Sequence, residues 1–308
     1  MAEPLPARAA PPRFRWAGVA VALHLLALSC HPTVARAADP AFTLRVVPEQ
    51  VRQGGVALLR IESATPLQIL RVLAGAEEIP VPAPAGAGGL SVLVGIDLEH
   101  VPGPLPIRVE AREGPGRSLS ATAALRVVEA HFPVQRLTLP RSFVELDAAT
   151  LARIQQEQAI LSRLWETVTP ERRWQGPFRM PLDSAAPPNG FGVRRIINGE
   201  PRAPHTGADF AAPAGTPVLA ANAGTVVLVA EQFFSGRMVI VDHGLGLYTM
   251  YFHLQESLVR EGQGVAPGEV IGRVGSTGRA TGPHLHWGAR LNGARIDPDA
   301  LVNLSSLD

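Results

Sequence analysis

The sequence predicts a mainly β protein in three parts: an N-terminal immunoglobulin-like β-sandwich, one connecting helix and a C-terminal antiparallel β domain. Three observations carry that expectation. Between residues 41 and 130 short stretches alternate apolar and polar residues, the two-residue period of a half-buried strand. Between Leu151 and Val168 the apolar spacing changes to three and four, which is helical. From Phe178 onward strand-like runs return, joined by Gly-rich turns, with no helical period of useful length between them. The 30 glycines and 29 prolines among 308 residues suit a chain of many short elements, and they exclude a coiled coil. At roughly 100 to 200 residues per domain, the length predicts about two domains, each able to bury a core.

Residues 1–37 stand apart from the fold. Arg8, Arg13 and Arg15 precede an apolar run over residues 16–28, and Ala35-Arg36-Ala37 follows, the layout of an export signal. The run is shorter than the roughly 20 residues a membrane-spanning helix needs. No other segment reads as a span, so no transmembrane segment is expected once the signal is removed. The single cysteine, Cys30, lies inside this region, so a chain beginning at Ala38 has no thiol for a disulfide or a thiolate metal site. Two readings of Cys30 stand side by side: simple secretion, or a lipid anchor on Cys30 as first residue. Ala27 three positions earlier and the A-x-A site beyond favour secretion. All 28 basic residues are arginine, and from residue 38 onward 24 arginines face 26 acidic residues, a net charge of −2. That balance gives no basic surplus for gripping nucleic acid, which is not an expected partner. The Lys-free, Arg-rich composition points to a high-GC bacterium, and a periplasm or cell envelope is the expected location.

Residues 38–135 form the predicted sandwich. Phe42-Thr43-Leu44-Arg45-Val46 and Leu105-Pro106-Ile107-Arg108-Val109-Glu110-Ala111 show its alternation, and Gln53-Gly54-Gly55, Pro102-Gly103-Pro104 and Gly114-Pro115-Gly116 punctuate it. His100 and His131 are isolated there and read as ordinary histidines. Residues 136–175 form a linker with an amphipathic helix over about 148–168. Leu151, Ile154, Gln158, Leu161, Leu164, Trp165 and Val168 share its stripe, Asp147 caps its start, and Thr169-Pro170 stops it. Residues 176–308 form the C-terminal domain, with strands expected over 217–221, 225–230, 237–241, 247–253 and 270–274, and they are expected to fold without the sandwich.

Five of the nine histidines lie between residues 205 and 286, and their spacing suits a metal. His205 and Asp209 make H-x-x-x-D. His284 and His286 make H-x-H, and on a strand two residues of that spacing face the same side. Pro204, Gly207 and the following residues 210–215 place the first pair on a loop or strand entry rather than a helix. Two histidines and a carboxylate are a common ligand set for catalytic zinc, which keeps a fourth position open for water. Each spacing alone is a weak signal. Their combination with Tyr251-Phe252-His253-Leu254 in Gly-rich surroundings is specific.

In these residues the sequence resembles the lysostaphin and LytM-type zinc metallopeptidases, which hydrolyse peptide bonds in bacterial peptidoglycan. The resemblance covers roughly residues 178–298. It runs through Phe191-Gly192-Val193-Arg194, His205-Thr206-Gly207-Ala208-Asp209-Phe210, Gly215-Thr216-Pro217-Val218, Ala223-Gly224-Thr225-Val226, Tyr251-Phe252-His253-Leu254, residues 265–271, Gly275-Ser276-Thr277-Gly278 and Gly282-Pro283-His284-Leu285-His286. It implies a LytM-type metallopeptidase domain at residues 176–308 and one zinc ion per chain held by His205, Asp209 and His286. It further implies catalysis by His253 and His284 and peptidoglycan as the partner. A non-catalytic regulator of cell-wall amidases is the alternative; dead family members lose one or more of these positions, whereas all five are filled here.

Two family features lack a plain counterpart. Some members use an upstream tyrosine to stabilise the oxyanion, but Tyr248 and Tyr251 are the only tyrosines and both follow His205; Arg194 or Arg195 is the candidate in its place. Some members block the metal with an upstream asparagine, for which Asn189 and Asn198 are candidates, although Pro187-Pro188-Asn189-Gly190 reads as a turn. His243, beside Asp242, reads as structural because adjacent strand residues face opposite sides. Asp297 reads as a turn cap, Trp287 as packing, and residues 275–282 as a groove wall.

Overall fold

The computed structural model describes residues 42–82, 89–138, 140, 145–183 and 188–306. The expected export signal and Cys30 lie outside the described residues. Among these residues no helix is long and apolar enough to cross a membrane.

The N-terminal strands are β1 (Thr43–Val47), β2 (Gln50–Arg52), β3 (Val56–Glu62), β4 (Gln68–Ala74), β5 (Glu77–Ile79), β6 (Leu90–Gly95), β7 (Gly103–Glu113) and β8 (Arg117–Val128). They form a three-stranded sheet in the order β1-β3-β6 and a five-stranded sheet in the order β2-β8-β7-β4-β5. Alternation decides which face is buried. On β7, Leu105, Ile107, Val109 and Ala111 point inward while Pro106 and Arg108 are exposed. They meet Val46, Leu59, Ile61 and Val94 of the other sheet in one core, so the two sheets make a sandwich.

Then follow β9 (Val134–Leu137) and the helix α1 (Ala148–Glu166). Asp147 caps α1, its Oδ1 accepting from Thr150 N at 2.7 Å. The helix stops two residues short of the expected end, where Thr167 N turns back to Leu164 O at 3.1 Å. Ile154 is its buried residue, and Leu161, Leu164 and Trp165 pack on Met238, Ile240, Tyr248 and Met250. Leu151, Gln158 and Val168, counted on the stripe by spacing, are exposed, Val168 lying beyond the helix end.

The remaining strands are β10 (Arg194–Ile197), β11 (Glu200–Arg202), β12 (Gly207–Ala211), β13 (Pro217–Leu219), β14 (Gly224–Gln232), β15 (Gly236–Gly244), β16 (Leu247–Ser257), β17 (Gly264–Val265), β18 (Val270–Val274), β19 (His284–Leu291) and β20 (Ala294–Ile296). The short helix α2 (Asp299–Val302) closes the fold. β12-β19-β16-β15-β14-β17 form the main path of a nine-stranded antiparallel sheet, with β13, β18 and β20 attached at its margins. Met238-Val239-Ile240-Val241 on β15 is buried throughout: Val239 and Val241 face the domain core, Met238 and Ile240 face α1. A strand covered on both faces reads as an unbroken apolar run rather than an alternation.

The linker does more than connect. β9 pairs in parallel with β10, Arg194 opposite Val134, and Trp174 is buried in the C-terminal core. Asp242 holds the segment between helix and domain: its Oδ2 accepts from Thr169 Oγ1 at 2.5 Å and Arg173 Nη1 at 3.0 Å. Local spacing cannot announce β9, because its partner lies some sixty residues further along the chain.

Candidate metal centre and flanking histidines

Three neighbouring strands build the site. β12 and β19 pair with Asp209 opposite His286 and Ala211 opposite His284. On its other side β19 pairs with β16, His286 opposite Phe252. Cross-strand neighbours share a face, so Asp209, His284 and His286 point to one side, as the H-x-H spacing predicts. His205 enters from the loop just before β12.

The donor atoms of His205, Asp209 and His286 converge within 4.8 Å of one another. His205 Nε2 lies 3.2 Å from Asp209 Oδ1, His286 Nδ1 lies 2.9 Å from the same oxygen, and the two nitrogens are 3.0 Å apart. Each ring is fixed from behind. His205 Nδ1 donates to Gly190 O at 2.8 Å, and a carbonyl can only accept, so Nε2 presents its lone pair to the site. His286 stacks on Phe252 at 5.2 Å and 8°. Its far side rests on Gly207, where an added Cβ would sit 2.5 Å from His286 Nε2 and 2.6 Å from Trp287 O. Burial first, then neighbouring imidazole charge, keeps His286 below its ordinary pKa. Burial pushes the Asp209 carboxyl up, but the adjoining His205 and His286 imidazoles outweigh it and hold the group well below the usual carboxylate range. The cluster is therefore an anionic carboxylate between two imidazoles, the state in which all three can donate to a cation.

His253 and His284 flank that cluster with ring centroids 4.7 Å apart. His253 Nδ1 donates to Thr277 O and His284 Nδ1 to Gly282 O, both at 2.9 Å, so each Nε2 is left to accept a proton. His284 Nε2 stands 4.0 Å from Asp209 Oδ1. Burial pulls His253 down to about 4, which keeps it neutral at pH 7. Strict alternation would send Phe252 and His253 to opposite faces. His253 instead adopts φ 61°, and the ladder to β18 shifts register between Leu254 and Glu256. The irregularity turns both side chains toward the site.

The other candidates fall elsewhere. The Asn189 backbone exchanges hydrogen bonds with Asp209 at 3.2 and 2.8 Å, placing it beside the cluster, whereas Asn198 is exposed in the β10–β11 turn. Arg194 and Arg195 lie on β10, tied through the backbone to β9 and β11. His243 is fully buried, bridging Ala223 O and Thr249 Oγ1 at 2.8 Å each, and burial pulls it down to about 4. Tyr251 is equally buried, its hydroxyl accepting from Ala221 N at 2.8 Å, and Tyr248 reaches Thr167 O; both hydroxyls are engaged away from the metal cluster. Trp287 is core packing, and Asp297 Oδ1 accepts from Asp299 N at 3.1 Å as a cap. His100 and His131 lie in the sandwich region, away from the cluster in sequence, His131 near Glu129 at 3.7 Å. Spacing gave no sign of Gly190 O, Thr277 O or the Phe252 stack, since a backbone carbonyl has no residue type to read.

Residues 203–298 match Peptidase family M23. Peptidoglycan DD-endopeptidase ShyC of Vibrio cholerae is 41% identical over 123 residues, 39% of this chain and 28% of that protein. DD-carboxypeptidase/endopeptidase Mpg of Neisseria meningitidis is 49% identical over 94 residues, 30% of this chain and 22% of that protein. The chain thus spans less than a third of the length of these curated relatives. A crystal structure from Pseudomonas aeruginosa described as peptidase M23 aligns much further, with a TM-score of 0.61 and 32% identity over 81% of this chain and 94% of that one. With that identity over nearly the whole of a solved relative, the chain belongs to peptidase family M23.

Proposed function

We propose that this protein is an exported zinc-dependent endopeptidase that hydrolyses peptide bonds in peptidoglycan stem or cross-link peptides. The observation that carries the reading is the convergence of His205 Nε2, Asp209 Oδ1 and His286 Nδ1 on one point, with His253 and His284 beside it. The donor set fits zinc. Ligand atoms about 2.0–2.2 Å from a tetrahedral ion lie about 3.3–3.6 Å apart. The edges of 2.9, 3.0 and 3.2 Å are that triangle slightly contracted. The name of the Vibrio cholerae relative, a peptidoglycan DD-endopeptidase, supports the substrate class.

Zinc bound there would polarise the scissile carbonyl and acidify a water. The chain's own residues do the rest. Asp209 and the two ligand imidazoles supply one negative charge, leaving the site net cationic toward a developing oxyanion. His253, kept neutral by burial, and His284, each with Nε2 turned away from its carbonyl partner, take the proton from the attacking water and return one to the leaving amine. Arg194 or Arg195 remains the proposed source of further oxyanion stabilisation.

Digestion of purified sacculi followed by mass spectrometry tests this. Cleaved peptides, about one zinc per chain, and activity lost to a chelator and restored by zinc are expected. Zinc-loaded protein that leaves every peptide intact but stimulates an amidase would replace the proposal with the regulator reading.

A further inference from the structure

The turn between β14 and β15 is gripped by the connecting helix. Glu157 on α1 accepts from Phe233 N with Oε1 at 3.1 Å and Oε2 at 3.0 Å. Arg153, one helical turn earlier, donates Nε–H to the same Oε1 at 2.7 Å and reaches Glu231 O at 3.3 Å through Nη2. The Glu157 side chain is only 15% exposed, so water competes poorly for these bonds.

Two residues on, the same turn meets the proton-transfer histidine. Ser235 O accepts His253 N–H at 2.8 Å, and Phe234 O accepts Arg279 N–H at 3.0 Å. Thr277 completes the enclosure. Its Oγ1 accepts from Arg237 N at 2.9 Å and donates to Leu254 O at 2.8 Å, while its carbonyl accepts His253 Nδ1–H at 2.9 Å. The two loops touch through backbone: a Cβ on Gly236 would stand 2.3 Å from the Thr277 carbonyl carbon, and one on Gly278 2.2 Å from Gly236 N. His253 holds φ 61° between them, a backbone state that persists only where the surroundings enforce it.

We infer that Glu157 of the connecting helix is a positioning residue for His253: it holds the 233–235 turn, which fixes the His253 backbone through Ser235 O and the imidazole through the turn's contact with Thr277. The helix is then part of the catalytic apparatus rather than a spacer. The inference rests on the proposed peptidase reading, yet it has a readout of its own, because the His253 Nδ1–H bond exists with or without turnover.

The test uses the full chain loaded with zinc. Glu157→Ala is expected to lower kcat on sacculus peptides about 10-fold, with KM and zinc content near wild type, since small displacements of a reacting group cost up to about 100-fold. Glu157→Gln, which keeps an acceptor, is expected to recover most of that loss. In nitrogen-15 spectra the hydrogen-bonded His253 Nδ1–H is expected to be protected in the wild type and to exchange quickly in Glu157→Ala. Wild-type kcat together with an unchanged His253 signal overturns the inference, and so does equal loss in both variants that tracks lost zinc or lost fold. If Glu157→Ala does not accumulate folded, Glu157→Met, which fills the space but offers Phe233 N no carboxylate, decides in its place: a weakened His253 signal with slowed kcat supports, and wild-type values of both overturn. A wild-type chain that cleaves nothing would overturn the peptidase reading instead, while the His253 signal still tests the positioning.

Discussion

His286 and His253 are the same side chain put to different uses by what stands behind each ring. His286 turns Nδ1 to Asp209 Oδ1 at 2.9 Å, inside a group of donors that converge; His253 gives Nδ1–H to a carbonyl and belongs to no such group. Replacing His205, Asp209 or His286 by Ala is therefore expected to remove both zinc and activity, because two remaining ligands hold the ion weakly. Replacing His253 or His284 by Ala is expected to leave zinc near wild type while hydrolysis falls by a factor of roughly 100 to 10,000. Zinc stoichiometry and peptide cleavage on all five variants check the division. A His284 variant that loses zinc beside a His286 variant that keeps it would exchange the two roles. His243 serves as the contrast: buried among Ala223 O, Thr249 Oγ1 and the Phe178 ring, it has no open side to offer a ligand.

At the scale of the element, the site depends on β12 running close beside β19. The approach needs a residue without a side chain at Gly207, since a Cβ there would strike His286 Nε2 at 2.5 Å and Trp287 O at 2.6 Å. The first contact is with a ring, which would be pushed off its stack on Phe252; the second is with backbone, which would widen the pairing. Gly207→Ala is expected to weaken zinc binding by roughly 10- to 100-fold, the usual effect of disturbing a ligand's support, while far-ultraviolet circular dichroism stays that of a folded β protein. Competition with a zinc chelator measures it, and wild-type affinity would mean that β12 and β19 adjust without disturbing His286. The strand alternation and the H-x-H spacing made the common face of His284 and His286 legible beforehand. The turning of His253 was not legible, because the register shift beside it arises from pairing with β18.

For the whole molecule, the sandwich and the C-terminal sheet share structure across the proposed boundaries. Asp97 takes Arg295 in a two-pronged pair, Nε to Oδ2 at 2.9 Å and Nη2 to Oδ1 at 2.7 Å. Burial would raise its carboxyl, but the Arg295 bonds outweigh that and hold it below its ordinary value. Val56 of the sandwich and Trp174 of the linker sit in the C-terminal core, and β9 pairs with β10. A fragment of residues 176–308 keeps all five site residues but loses these partners. It is expected to bind zinc, yet to unfold at least about 5 °C below a fragment of residues 132–308, a difference of roughly 1.5 to 2 kcal/mol for a domain this size. Thermal unfolding of the two checks it, and coincident midpoints would show that β9, α1 and Trp174 add nothing to the C-terminal domain.

By itself the sequence determined the mainly β class, the helix after Asp147, and the residue types and spacings of the metal cluster. These are local properties: period two, period three to four, and histidines two apart on a strand. Only the tertiary structure decided which backbone carbonyls orient His205 and His253, how the φ of 61° at His253 brings it beside His284, that β9 pairs with β10, and that α1 packs on the C-terminal sheet. Each of those depends on segments far apart in the chain meeting in space. Gly190 lies 15 residues from His205, Thr277 lies 24 from His253, and Glu157 lies 76 from Phe233. Carbonyl positions and long-range pairing follow from closing the whole fold, and no window of sequence contains them.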